Sequence, residues 1–333
     1  MSENLLDNHN ETLHFHTSVE DMEPNTHVDG FYILQSASHR TTVSGKPFLS
    51  ASISDKTGSL PVIFWDYSGP VGTSSNGQVV YVSGLVSEYK GTLQITLEHI
   101  RLSTPEDNAD ISSLVPVAPI DKDKMYSHIL TIVDSMTDIQ YQAVVKEFLA
   151  RHKERFMTIP AAKSVHHSFL NGLLMHTGNM LKMADFLAGQ YAECVDRDLV
   201  LAGTLLHDFS KREEFTFSAL GLVSDYSVKG QLLGHLVMVA QEAAEICKEL
   251  NVPEEKSVLL QHVLLAHHGK PEYGAAVVPM CAESELVSMI DMVDSRMEIY
   301  RENLQETEMG AFSGRLFALD GHRIYRHYQP DNQ

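Results

Sequence analysis

"LLHDFSK", residues 205–211, puts a histidine and an aspartate side by side in an apolar helical run, with a lysine three positions after the aspartate. Neighbours on an α-helix point about 100° apart, because one turn takes roughly 3.6 residues. A histidine that only fills a core needs no aspartate beside it, so the pair asks for a reason other than packing. Around it, apolar residues recur at helical spacing in 125–150, 168–190, 197–209, 231–250, 255–267 and 283–304, with breaks at Pro160, Gly221, Pro253 and Pro271. This spacing predicts an all-α domain over residues 125–333.

The histidines cluster on those helices. Seven of the eighteen fall within "PAAKSVHHSFLNGLLMHTGNM", "LLHDFSK", "GQLLGHLVM" and "LLAHHGKPEYG", and two aspartates at helical spacing follow in "VSMIDMVDSRM". The order in the chain is His, His-Asp, His, His-His, Asp. A lone histidine on an apolar face is commonly a core residue. Histidine-bearing stretches on successive helices are not explained that way.

Residues 27–103 read differently. Runs rich in Val, Ile, Thr and aromatics alternate with Gly-Lys-Pro, Lys-Thr-Gly and Lys-Gly turns, giving five strands at a spacing that suits a small closed barrel. "ISDKTGSLPVIFWD" resembles the second hairpin of an OB-fold that binds single-stranded nucleic acid, in which strands 2 and 3 form the ligand face. Trp65 and Tyr67 share a face by the two-residue period, and that face is either core or ligand groove. With Arg40, Lys46, Lys56 and Lys90 tracking phosphates, these aromatics are candidates for stacking bases. "STPEDNADISSLVPVAPIDKDK", residues 103–124, has no periodicity, so a linker is expected over 104–124.

Bulk properties narrow the class. Hydrophobic content of 43% with 21% charged residues is ordinary for a soluble globular protein, and no apolar run approaches the ~20 residues of a membrane helix. The N-terminus lacks a basic segment followed by an apolar one, so a cytoplasmic protein is expected. Cys194, Cys247 and Cys281 lie far apart without CxxC spacing and read as reduced. The net charge of −19 argues against broad electrostatic gripping of nucleic acid. That charge is uneven: residues 1–26 hold six acids and no Lys or Arg, whereas 27–103 hold five bases against five acids. Residues 1–26 are expected to be a disordered or solvating acidic tail.

The order His176, His207-Asp208, Asp291, with His235 and His267-His268 between, resembles the HD superfamily of metal-dependent phosphohydrolases. More narrowly, "PAAKSVHHSFLNGLLMHT", "DLVLAGTLLHDFSKREEF", "GQLLGHLVM", "LLAHHGKPEYG" and "DMVDSRM" resemble the YhaM family of 3′→5′ exoribonucleases, as does the barrel before them. The resemblance spans about residues 28–325. It implies an OB-fold followed by a helical HD domain, with His176, His207, Asp208 and Asp291 on one metal and Asp208 bridging to a second on His235 and His267 or His268. Imidazole and carboxylate ligands suit Mn²⁺, Co²⁺, Fe²⁺, Ni²⁺ or Zn²⁺, and the resemblance favours Mn²⁺ or Co²⁺. Two such cations activate a hydroxide for in-line attack on a phosphodiester. Asp208 and Lys211 are then the catalytic pair, the ammonium stabilising charge on phosphorus.

Other positions carry weaker expectations. Asp294 lies on the face of Asp291 and reads as a group that orients a ligand histidine. His166 and His167 are candidates to contact substrate phosphate or cap a helix, and Arg296 to pair with a phosphate or an acid. Ser210 stands where the family usually has Gly; at φ > 0 it would cost roughly 1 kcal/mol. Asn171 and Met175 also depart from the usual residues. The expected activity is release of nucleoside 5′-monophosphates from the 3′ end of single-stranded RNA or DNA, by a homo-oligomer without membrane contact. Its rivals are a phosphohydrolase of nucleotides or cyclic dinucleotides and a non-catalytic nucleic-acid-binding protein. The "GYP"-type motif of the cyclic-dinucleotide group is missing, "HHGKPEYG" standing after the histidine pair.

Overall fold

The computed structural model describes residues 16–89, 91–163 and 167–327. Lys90, His166 and residues 1–15 of the acidic tail lie outside the described residues. The chain divides into two compact units, Met1–Pro116 and Val117–Gln333.

In the first unit, β1 (His27–Thr41), β2 (Pro47–Ser54), β3 (Ser59–Trp65), β4 (Val79–Tyr89) and β5 (Thr92–Leu102) close into a barrel in the order β1-β2-β3-β5-β4. Closure depends on β1, which pairs with β4 through its first half and with β2 through its second. A bulge between Gln35 and Ser38 bends it there, as an extra residue in one strand does. Alternate residues such as Leu49, Ile53, Val62, Val80 and Val82 fill the interior.

The tail expectation fails for residues 16–26. Val19 and Met22 are buried in the barrel core, the Val19 N–H donates to Asp55 Oδ2 at 2.9 Å, and the Tyr32 hydroxyl donates to the Thr17 carbonyl at 2.7 Å. Glu20, Asp21 and Glu23 are all exposed, so their charge concealed the two apolar plugs beside them.

The boundary between Pro116 and Val117 falls inside the stretch read as a linker. That stretch carries a 3₁₀ turn at Pro105–Asp107 and a one-turn helix α1 (Ile111–Leu114), which Asp110 caps by accepting the Ser112 N–H at 2.9 Å.

The second unit contains α2 (Lys122–Asp134), α3 (Ile139–Thr158), α4 (Gly172–Gln190), α5 (Arg197–Leu206), α6 (Lys211–Glu214), α7 (Val228–Glu249), α8 (Glu254–Ala266) and α9 (Ala282–Glu306). The periodic run 125–150 is two helices, not one. Asp138 starts α3 by accepting the N–H groups of Gln140 and Tyr141, a break made without Gly or Pro. The unit is also not wholly helical, because β6 (Phe215–Phe217) and β7 (Val223–Tyr226) form a hairpin between α6 and α7. α4 and α5 pack on one another at the centre, with α9 against both and α8 against α5 and α7. This arrangement brings the ends of α5 and α8 to the flanks of α4 and α9.

Candidate metal centre and nucleic-acid face

His207 and His267 occupy the same structural position on different helices. Each is the C-cap of its helix, α5 or α8, and each ring Nδ1 lies 2.8 Å from the carbonyl three residues back, Thr204 or Leu264. The last carbonyls of a helix lack intrahelical donors. Since a carbonyl only accepts, both rings donate from Nδ1, and their Nε2 lone pairs face inward. Asp208 and His268 are therefore just past the helix ends, in turns, rather than within helices.

The other two rings are held by carboxylates. His176, on α4, donates from Nδ1 to Asp294 Oδ2 on α9 at 2.7 Å, and its Nε2 lies 3.3 Å from Asp291 Oδ1. His235, on α7, donates from Nδ1 to Glu214 at 3.0 Å. All four rings thus turn Nε2 toward one place, as second partners of metal-binding histidines enforce.

Asp208 lies at that place with its two oxygens divided. Oδ1 is 3.2 Å from His235 Nε2 and 3.8 Å from His267 Nε2. Oδ2 is 3.3 Å from His207 Nε2, 3.8 Å from His176 Nε2 and 2.5 Å from Lys211 Nζ. His176, His207 and Asp291 form one group able to hold a cation, and His235, His267 and His268 another.

The fit to cations is seen in what these atoms lack. Asp208 Oδ1, His235 Nε2, His267 Nε2 and His268 Nδ1 are buried without hydrogen-bond partners, an arrangement that costs about 1–3 kcal/mol per group unless something fills it. His176 Nε2 and His207 Nε2 stand 3.2 Å apart, so two bare lone pairs cannot face each other there, and either a shared proton or a metal ion stands between the rings. Burial disfavours a charged His176, but Asp291 and Asp294 more than offset it and push its pKa up to about 10. Burial and the neighbouring His207 hold His267 far below the ordinary histidine range, and burial with His235 holds His268 at about 4. These two rings are neutral. Against the cost of burial, Lys211 and His207 hold Asp208 well below the usual carboxylate range, and Asp208 in turn keeps the half-buried Lys211 charged.

Two expectations are corrected here. His167 neither reaches the surface nor caps α4: it is fully buried, its Nε2 donates to Asp294 Oδ2 at 2.9 Å, and its carbonyl accepts the Ala161 N–H. Ser210 has φ −81° and ψ 0°, so no left-handed strain exists there. Arg296 meets Asp320 at 3.5 Å on the rim of a cavity of about 310 Å³ that also reaches Asp208, Lys211, His268, Tyr273 and Asp291. Glu214 was missed; the signal was its position three residues after Lys211, hence on the same helix face.

The profile described as an OB-fold nucleic acid binding domain matches residues 37–103, and that of the HD domain matches residues 173–296. The chain is 33% identical over 307 residues to a 3′-5′ exoribonuclease YhaM of Oceanobacillus iheyensis, covering 92% of this chain and 95% of that protein. It is 35% identical over 308 residues to the Listeria welshimeri protein of the same name, covering 92% and 96%, and 34% identical over 300 residues to that of Halalkalibacterium halodurans, covering 90% and 92%. The chain belongs to the YhaM family.

In this YhaM-family chain the barrel face differs from the expectation at one aromatic. Trp65 is 47% exposed while Tyr67 is buried in the core, where its hydroxyl accepts the Val71 N–H at 3.0 Å. β3 ends at Trp65, and Asp66 at φ 54° breaks the two-residue alternation on which a shared face depended. Trp65 instead lies in a cross-strand row with Phe48 and Arg40, the rings of Phe48 and Trp65 being 5.1 Å apart. Lys46 is at the edge of this row, paired with Asp66 at 3.1 Å, whereas Lys56 bonds the Ser112 carbonyl.

Proposed function

We propose that the chain is a divalent-metal-dependent 3′→5′ exoribonuclease that captures single-stranded RNA on its barrel and releases nucleoside 5′-monophosphates at the histidine centre. The observation that carries this reading is the division of the Asp208 carboxylate between two sets of inward-facing imidazoles. Cations held there supply Lewis acidity and a water of lowered pKa. Everything else falls to the chain's own groups. His176, His207 and Asp291 would hold one ion and His235, His267 and His268 the other, with Asp208 between them. Lys211, already charged and half-buried beside Asp208, aims an ammonium at the cavity where phosphate charge develops. The cavity is at the lower end of the roughly 300–1,000 Å³ usual for ligand pockets, which suits one terminal nucleotide. Arg296 on its rim suits a flanking phosphate. Asp294 holds His176 in place and is not itself a ligand in this reading.

The preferred ion is Mn²⁺, and self-association and a cytoplasmic location belong to the same reading. RNA labelled at its 5′ end, digested with Mn²⁺, is expected to give a ladder shortening from the 3′ end with mononucleotide release, abolished by EDTA. Turnover of free nucleotides alone would assign the centre to a small-molecule phosphohydrolase.

A further inference from the structure

The two carboxylates that hold ligand rings are not equivalent in the fold. Asp294 belongs to the long helix α9 and serves both His167 and His176. Glu214 ends the one-turn helix α6 and, among the described residues, serves His235 alone, but does so twice: it accepts from the ring Nδ1 at 3.0 Å and from the His235 backbone N–H at 3.1 Å. That N–H is available because the chain breaks at Gly234, with φ 70° and ψ 159°, and a helical segment restarts at His235. The first N–H groups of a helix have no partner within it. One carboxylate therefore fixes both the start of the segment and the ring that it carries.

We propose that Glu214 is the positioning residue for the second metal position, controlling occupancy at His235, His267 and His268 without touching the ion. With Nδ1–H committed to Glu214, the His235 Nε2 lone pair must face Asp208 Oδ1. Without it the ring is free to turn or to take the other tautomer, while His176, His207 and Asp291 keep their own supports. The inference rests on the two-cation reading of the centre, and its test separates the two.

Titration calorimetry with Mn²⁺ on the full chain, checked by metal content after desalting, is expected to give two equivalents for the unaltered protein. Glu214→Ala should keep one at unchanged affinity and weaken the other by roughly 10- to 100-fold. The Mn²⁺ spectrum by electron paramagnetic resonance should change from a coupled pair to an isolated ion. His235→Ala should match it, and Asp294→Ala should weaken the other ion. Glu214→Gln, which preserves shape and one acceptor oxygen, should weaken the same single ion by less. Two ions in the unaltered protein with both retained at full affinity in Glu214→Gln overturns the proposal, as does parallel weakening of both ions in either Glu214 variant. If Glu214→Ala does not fold, Glu214→Gln decides alone. Fewer than two ions in the unaltered protein overturns the two-cation reading itself and this proposal with it.

Discussion

Lys211 and Ser210 are adjacent, and the structure gives them opposite weight. Lys211 Nζ lies 2.5 Å from Asp208 Oδ2 and lines the cavity beside it. Lys211→Met keeps the length of the side chain and removes its charge, so kcat is expected to fall by about 10²- to 10³-fold, the range for losing one group that stabilises a developing anion. Mn²⁺ stoichiometry should persist, which calorimetry checks. Ser210 invites the opposite thought, since the family usually has Gly there. At φ −81° glycine relieves nothing and adds freedom to the unfolded chain. Ser210→Gly is therefore expected to lower stability by about 0.5–1 kcal/mol, read as a lower melting temperature. A rise would show that the backbone there is strained after all. Residue type and order made legible the histidines and aspartates that the fold brings together. Glu214 was less so, because its partner His235 follows a hairpin 21 positions later.

Among the elements, those marked by periodicity or by turn residues were legible, and those made by a single side chain were not. The five strands could be read because β-branched runs were punctuated by Gly and Pro. The break before α3 depends on one carboxylate, Asp138, and the plug at residues 16–26 on another, Asp55. Asp55 accepts the Val19, Thr57 and Gly58 N–H groups and the Thr57 hydroxyl, with His16 Nε2 3.0 Å away. Burial works against its charge, but the bonds from Thr57, Val19 and His16 outweigh that and lower its pKa. A carboxyl with a depressed folded pKa stabilises the fold above its unfolded value, near 3.9. That contribution disappears as pH falls through the lower, folded value. Asp55→Asn should cost about 1.5–3 kcal/mol at pH 7, as for hydrogen bonds to a charged group. The difference from the unaltered protein should shrink below about pH 4, because protonation removes the charge from the unaltered carboxyl too. Melting of the barrel followed at both pH values tests this; a constant difference would mean that Asp55 acts through shape alone.

For the molecule as a whole, a net charge of −19 and a nucleic-acid substrate are compatible only if binding depends little on charge. The barrel face meets that condition. Its row of Arg40, Phe48 and Trp65 offers one cation and two rings, and the nearby Lys46 is partly occupied by Asp66. Each phosphate neutralised on a single strand contributes a slope of about −0.7 to the dependence of log K on log salt. Two contacts by Arg40 and Lys46 therefore predict a slope of about −1.4 from the barrel, shallow for a nucleic-acid-binding protein. Stacking should carry the larger share, at about 1–3 kcal/mol per base. Trp65→Ala is expected to weaken binding of a short single-stranded RNA by that amount, to raise KM for its digestion, and to leave the salt slope unchanged. Hydrolysis of a small chromogenic phosphodiester, which needs no barrel contact, should proceed at the unaltered rate. If Trp65→Ala slows both substrates equally, its effect runs through the stability of the chain rather than through RNA. A slope much steeper than −1.4, measured by fluorescence anisotropy between low and physiological salt, would move the binding face away from this row to cations elsewhere.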